Sequence, residues 1–280
     1  MSVEALSNGL TEEQFQHISR VVKDLCGINL HDGKRQLVKA RLTKRLRALG
    51  LPSFEHYINY VASDGSGAEL TAMLDALSTN LTSLFRERKH FDHLAENVLP
   101  QIAAEAPAGG GRLRIWSAGC SSGEEPYSIA VIVREAIGDI DRWDARILAT
   151  DLSTKVLAQA RRGVYEERRV EPVPPGLRAR YFTRADADGK KLYRAGEALR
   201  RMVVFARLNL MDPWPMKGPF DVIFCRNVMI YFDKPTQGRL IQRFYDILRP
   251  GGVLYIGHSE SLTRVDHGFR YLAPTVYGKP

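Results

Sequence analysis

Apolar positions in the first part of the chain recur three and four apart. Phe15, Ile18, Val22 and Leu25 fall on one helical stripe, and Val38, Leu42, Leu46 and Leu49 on another. Thr11 with Gln14 three places later forms a capping-box pattern, Leu10 and Phe15 are placed for a hydrophobic staple, and Gly27 is placed to end the first helix in a left-handed conformation. The second helix runs from about Gly33 to Leu49 and stops at Gly50. Ser53 caps a short third helix holding Phe54, Tyr57, Ile58 and Val61, the SDGSG stretch at 63–67 turns the chain, and Leu70, Leu74 and Leu77 mark a fourth. Residues 1–78 therefore read as a helical domain with no catalytic set of its own.

The pattern changes at residue 112. Short apolar runs rich in Val and Ile (Leu113–Ala118, Arg146–Thr150, Met202–Leu208, Phe220–Cys225, Gly252–Gly257) alternate with helical stretches, which predicts βαβ units around a buried, largely parallel sheet. Arg270–Leu272 and Thr275–Gly278 are too close for a crossover helix and predict a terminal antiparallel hairpin. An α/β sheet ending this way resembles the Rossmann-like methyltransferase arrangement. The stretch Leu152–Arg201 breaks the alternation. It starts as a helix capped by Ser153, passes through EPVPPG at 171–176, and ends in a hairpin of Arg180–Arg184 and Lys191–Arg194 around an Asp188-Gly189 turn. We read a small β subdomain inserted at about 164–200 into a domain of residues 112–280, with 79–111 as a linker and helix.

Composition narrows the class. The chain has 280 residues, 44% hydrophobic and 26% charged, which excludes a mostly disordered protein. It holds no apolar run of about 18 residues, and its first ten residues lack a secretory signal. Cys26, Cys120 and Cys225 are far apart and form no CxxC pair, so a reducing, cytoplasmic setting is expected. The net charge of +8 is unevenly spread: residues 146–207 carry 15 basic and 7 acidic side chains, an excess equal to that of the whole chain. A second concentration lies in the neutral helical domain, where Gly33 to Phe54 hold seven basic residues and no acid. At about 100° per residue Lys34, Arg41, Lys44 and Arg45 share one helical face, either a solvated face or a docking surface for an acidic partner.

Candidate chemistry sits at the carboxyl ends of the strands, where open parallel sheets bind ligands. The first strand runs into Ser117-Ala118-Gly119-Cys120-Ser121-Ser122-Gly123-Glu124-Glu125-Pro126, small residues that let a ligand approach the backbone, followed by acids that repel a pyrophosphate and welcome an ammonium. That favours the methionine end of S-adenosylmethionine over a dinucleotide, with at most one of Glu124 and Glu125 on the ligand and helix-dipole compensation as the other use of these charges. Asp151 ends the second strand, placed to accept ribose hydroxyls, and Asn209 follows the third, placed to pair an adenine edge. Cys225-Arg226-Asn227-Val228-Met229-Ile230-Tyr231 follows the fourth and should border the reacting centre. His90 and His93 read as ordinary helix residues with no metal site to complete, and Cys120 and Cys225 as buried packing residues.

Five motifs in order, TNLTSLFRE (79–87), SAGCSSGEEPYSIA (117–130), ATDLS (149–153), NLMD (209–212) and FCRNVMIYFD (224–233), resemble the CheR family of bacterial chemotaxis receptor methyltransferases over nearly the whole chain. One departure is Leu84, where a second aromatic is expected. The resemblance implies methyl transfer from S-adenosylmethionine, leaving S-adenosylhomocysteine, to glutamate side chains on receptor cytoplasmic helices, without a metal. It implies donor contacts at Asn80, Thr82, Arg86, Glu124, Asp151, Asn209, Leu210, Arg226 and Asn227, and places Arg86 and Tyr231 beside the reacting groups. In some members the β insertion binds a receptor tail peptide as an added strand. A cytoplasmic enzyme recruited to membrane-associated receptor arrays follows.

The chemistry is consistent with that implication. A glutamate with an ordinary pKa near ~4.3 is already anionic at neutral pH, so alignment matters and a general base does not. Arg86 either orients the acceptor or holds the donor's own carboxylate, and Tyr231 is suited to a neutral hydrogen-bond donor. Two other classes compete. Nucleic-acid methylation fits the positive charge, but the Asp/Asn-Pro-Pro-aromatic pattern and a Pro-Cys pair are missing from the sequence. A non-catalytic donor-binding sensor would not need Arg86 and Tyr231.

Overall fold

The computed structural model describes residues 9–78, 80–107, 109–187 and 189–280. Thr79 of the first motif, Asp188 of the expected turn and the first eight residues lie outside them. Four helices come first: α1 (Glu12–Cys26), α2 (Arg35–Leu49), α3 (Phe54–Ser63) and α4 (Ala68–Leu77). Local signals set their ends as the sequence suggests. The Thr11–Gln14 capping box is closed in both directions, Gly27 and Gly50 are left-handed at the ends of α1 and α2, and the Ser53 hydroxyl accepts from His56 N–H. Phe15, Ile18, Val22, Val38, Leu42, Leu46 and Tyr57 then pack in one core; each aliphatic side chain buried so completely stabilises by roughly 1.5–3 kcal/mol.

Two short helices, α5 (Lys89–His93) and α6 (Leu99–Glu105), are joined by a π-helical turn and lead into the sheet. Next come β1 (Arg112–Ala118), α7 (Glu124–Ala136), β2 (Asp144–Asp151) and α8 (Thr154–Arg162). The insertion holds β3 (Val164–Glu166), α9 (Glu167–Val170), α10 (Pro175–Tyr181), β4 (Phe182–Arg184) and β5 (Leu192–Ala195). The chain finishes through α11 (Glu197–Arg200), β6 (Val203–Arg207), β7 (Phe220–Cys225), α12 (Lys234–Ile247), β8 (Leu248–Ile256), β9 (Arg270–Ala273) and β10 (Val276–Gly278).

The main sheet has seven strands in the order β6-β2-β1-β7-β8-β10-β9. Its first five are mutually parallel, and the last two form the expected antiparallel hairpin. The chain proceeds from β1 to β2 on one side and later returns to β7 on the other, so a crevice opens at the carboxyl ends of β1 and β7. Two apolar clusters cover the two faces, one around Ile115, Val131 and Phe224 and one around Trp116, Ile223 and Phe244.

The insertion differs from expectation in two ways. Arg180 and Tyr181 end a helix rather than begin a strand, because Pro175 at the first helical position starts α10 and Gly196 N–H caps the Tyr181 carbonyl. The subdomain sheet also has a third strand, β3, pairing antiparallel with β5 in the order β3-β5-β4.

The helical part is fastened over the carboxyl ends of the sheet. Ile28 bridges Phe232, Asn29 N–H donates to the Tyr231 carbonyl at 2.7 Å, and Lys23 pairs with Asp233 at 2.8 Å. Thr154, at the start of α8, donates through its N–H and its hydroxyl to the Asp75 carboxylate on α4.

Candidate active site

A cleft lies between this roof and the ends of β1, β2, β6 and β7. Of the residues singled out in the sequence, Lys34, Asn80, Thr82, Arg86, Gly119, Asp151, Asn209, Leu210, Arg226, Asn227 and Tyr231 line it together; Glu124 does not, and Glu125 does.

Gly119 adopts a left-handed φ of 87°, and a Cβ there would come within 2.4 Å of Val228, so only glycine lets β1 and the segment after β7 approach. The adjacent acids separate because α7 turns them to opposite sides. Glu124 is fully buried, ion-paired with Arg169 of α9 and hydrogen-bonded by the Ser122 hydroxyl at 2.8 Å, so it fastens the β subdomain instead of facing a ligand. This corrects the expectation for Glu124. Glu125 accepts from the Ser117 hydroxyl at 2.6 Å and faces Arg226 at 3.5 Å. Burial raises both carboxyls above the ordinary range, opposed by Arg169 at the first and Arg226 at the second.

Asp151 accepts Ser121 N–H at 2.8 Å and Ser153 N–H at 2.9 Å, one on each oxygen, leaving each oxygen a further lone pair. Burial raises its pKa despite those bonds. The Asn209 amide departs from expectation: it donates to the Leu25 carbonyl at 2.6 Å and to Asp212 at 3.0 Å, and its oxygen accepts Met211 N–H, so its side chain joins α1 to the β6 end.

The turn before α5 is strained where it meets the cleft. Phe85 and Glu87 are both left-handed, at φ 54° and 58°, with Arg86 between them. Phe85 N–H is held by the Ser128 hydroxyl at 2.9 Å, and the Arg86 guanidinium donates to the Leu81 carbonyl at 2.8 Å. Below it Arg226, nearly inaccessible, lies 3.2 Å from Glu87 and 3.5 Å from Glu125 and donates to the Arg86 carbonyl. Burial raises the Glu87 pKa, but Arg226, His258 N–H and Asn227 together hold it below the ordinary range.

His90 is not the ordinary helix residue the sequence suggested. Its ring is buried, bonded to Thr275 at 2.7 Å and 3.5 Å from Glu87, and burial with Arg226 pushes its pKa down to about 3. Glu87, His90 and His258 bring ligand-type atoms within 4.8 Å of one another. The Glu87 oxygens already face Arg226, Asn227 and His258 N–H, so the cluster is a hydrogen-bonded charge network. His93 instead bonds the Tyr255 hydroxyl at 2.9 Å. Cys120 and Cys225 are buried, and burial pushes both thiols well above the ordinary range, which removes them as thiolate nucleophiles.

On the basic face of α2 the four residues part company. Lys34 lines the cleft and Lys44 is exposed. Arg41 donates to the carbonyls of Leu77 and Ser78 at 2.6 and 2.9 Å. Arg45 is paired at 2.5 Å with the buried Glu69, which also accepts the Tyr57 hydroxyl, so Arg45 holds α2 to α4 and is corrected from a docking residue to a packing one. Sequence reasoning left Glu87 and His258 unassigned; both stand in the cleft-bordering network, and their only signal was proximity to Arg86 and to the end of β8.

Residues 80–277 match the family described as CheR methyltransferase, SAM binding domain, and residues 13–78 match CheR methyltransferase, all-alpha domain. The chain belongs to the CheR family. A probable chemotaxis protein methyltransferase of Rhizobium etli is 46% identical over 90% of this chain and 94% of its own length. Chemotaxis protein methyltransferase 2 of Pseudomonas aeruginosa is 44% identical over 95% and 93%, and the chemotaxis protein methyltransferase of Escherichia coli 41% over 96% and 91%. As a CheR methyltransferase it uses S-adenosylmethionine, and the cleft fits that donor: the Glu125 carboxylate suits an ammonium, Asp151 has acceptor capacity for hydroxyls, and Gly119 leaves room against the backbone. Among the described residues no helix is long and apolar enough to cross a membrane.

Proposed function

We propose that this protein methylates glutamate side chains on chemoreceptor cytoplasmic helices, giving glutamate methyl esters in chemotactic adaptation. The observation that carries this reading is the makeup of the cleft. Tyr231 and Arg86 line it, no histidine does among the described residues, and its acids Glu125 and Asp151 are held by their own partners. Such a site suits a nucleophile that arrives already ionised. S-adenosylmethionine supplies an electrophilic methyl on a cationic sulfur. Asp151 and Glu125 hold the donor, Asn80, Thr82, Leu210 and Asn227 border it, and Arg226 fixes Glu125 from behind. Tyr231 donates a neutral hydrogen bond that orients the acceptor carboxylate without quenching it as a tight ion pair would. Arg86 sits at the rim, where its cation draws the acceptor in. Names of the relatives from Escherichia coli and Pseudomonas aeruginosa support the chemotactic assignment.

In this reading residues 1–78 dock the receptor through Lys34, Lys44 and their neighbours. The domain of residues 112–280 carries out the transfer, and the subdomain at about 164–200 offers the edge strand β4 to a receptor tail. The enzyme works in the cytoplasm beside membrane-bound receptor arrays. The test is incubation with methyl-labelled donor and a receptor cytoplasmic fragment, followed by mild alkali. Volatile labelled methanol, abolished when the receptor glutamates are changed to alanine, is expected. Label that survives alkali, or that transfers to nucleic acid instead, overturns the reading. Tyr231→Phe should lower turnover by roughly five- to tenfold, as for one lost hydrogen bond, while calorimetric donor affinity stays nearly constant.

A further inference from the structure

The segment that carries Arg226, Asn227 and Tyr231 leaves β7 with Asn227 left-handed at φ 59° and reaches Tyr231 through a single 3-10 turn, Met229–Tyr231. A short, strained stretch of this kind has few backbone bonds of its own. One buried side chain supplies partners. Glu260 lies beyond the end of β8 and is 7% exposed. One of its carboxylate oxygens accepts Val228 N–H at 3.0 Å and Ile230 N–H at 3.2 Å; the other accepts Asn227 N–H at 3.0 Å and Gly257 N–H at 2.5 Å. Gly257 is required beside it, since a Cβ there would meet the Asn227 amide and the Glu260 carboxylate at under 3 Å. From the other side Gln237 donates to the carbonyls of Met229 and Phe232, at 2.8 and 3.0 Å.

We infer that Glu260 is the positioning residue for Tyr231: its carboxylate gathers the N–H groups of the segment and fixes where the phenol enters the cleft. This rests on the reading of Tyr231 given above. Only a carboxylate serves, because both of its oxygens are acceptors. In a glutamine one oxygen becomes an NH2 that meets two N–H groups head-on.

A double-mutant cycle tests it, with turnover measured at saturating donor and receptor fragment and donor affinity measured by calorimetry. Glu260→Gln should lower turnover by about fivefold, no more than Tyr231→Phe does, while donor affinity, carried mainly by the β1 and β2 ends, changes less than about threefold. In a Tyr231→Phe background the same change should cost less than about threefold further, since the group being positioned is already gone. Thr11→Ala, which removes a helix cap remote from the cleft, supplies a destabilised control whose turnover should stay at the parent value. Should Glu260→Gln not fold, Glu260→Asp, which withdraws the carboxylate by one methylene, is run through the same cycle. Unchanged turnover in Glu260→Gln overturns the inference. So does an equal loss in both backgrounds when Tyr231→Phe alone is impaired. A Tyr231→Phe enzyme with full turnover instead overturns the reading of Tyr231, and this inference with it.

Discussion

At the sheet end of the cleft, Asp151 and Glu125 project from a strand end and a helix start that are fixed by the core, and each carboxylate is already held by backbone or hydroxyl donors. At the turn end, Leu81 stands 82% and Ile230 48% exposed, beside Arg86 and Tyr231 on short irregular segments. The first end is preorganised for a small ligand, with its polar groups oriented before anything binds. The second is open and partly apolar, which suits the proposed docking of a receptor helix. The contrast implies that variants at the two ends fail differently: donor affinity at the first, turnover or receptor affinity at the second.

Asp151→Ala gives the largest test of this contrast. It orphans the N–H groups of Ser121 and Ser153 and removes the proposed hydroxyl acceptor. Donor affinity by calorimetry should fall roughly 100-fold, about 2.7 kcal/mol. Affinity within twofold of the parent would break the comparison. Next comes Arg45→Ala, outside both ends. It leaves Glu69 buried without its cation and should cost about 2 kcal/mol in denaturant unfolding with little change in turnover of folded enzyme. Glu125→Gln should weaken donor binding by about tenfold, whereas Glu124→Gln should leave donor affinity near the parent value and lower the melting temperature through loss of the Arg169 pair. Equal effects on donor affinity would return Glu124 to the ligand.

These cases show what the sequence discloses. Thr11–Gln14, Ser53 and Ser153 act within four residues, so the helix starts they cap are visible in order alone. The five parallel strands are likewise visible, because strands packed inside a sheet carry short apolar runs between the helical stretches. Strand β3 was hidden: it is three residues long, and no tight turn joins it to its partner β5 as one joins β4 to β5 or β9 to β10. Partner choice was hidden more deeply. Glu124 and Glu125 are indistinguishable as a dipeptide, and only α9 packing against the start of α7 assigns Arg169 to the first. Arg45 matched a basic face until Glu69, 24 residues on, claimed it. Asn209 has an adenine-reading amide in principle, and the carbonyl end of α1 occupies it. The residues at strand ends were legible from topology; their bonding was not, since it depends on contacts distant in sequence.

The network under the turn end adds a pH test. His90 is held neutral, its pKa pushed to about 3 by burial and by Arg226, while in the unfolded chain it titrates near its ordinary value of 6.5. The folded state thus binds fewer protons than the unfolded one between those values. His90 contributes stability that is present above about pH 6.5 and lost as pH falls toward 3. His90→Gln, which removes the titration and keeps a group able to bond Thr275, should flatten the loss of stability between pH 7 and 5 by about 2 kcal/mol. Parallel unfolding curves for parent and variant across that range would show that the ring is not held neutral.

The smallest effect is expected at Lys44, and it decides whether the roof takes part in receptor docking. Lys44 is exposed on α2, whereas Arg41 and Arg45 on the same face are engaged with α4. Exposed charges act mainly on encounter, weakly and in a salt-dependent way. Lys44→Glu should therefore raise the KM for a receptor fragment about threefold at low salt, leave turnover at saturation unchanged, and lose most of its effect near physiological ionic strength. Donor affinity and unfolding midpoint should match the parent, since the side chain touches neither the cleft nor the core. An unchanged KM at low salt would leave this face solvated only, and receptor recognition would then fall to the cleft rim at Leu81 and Ile230 and to the β subdomain.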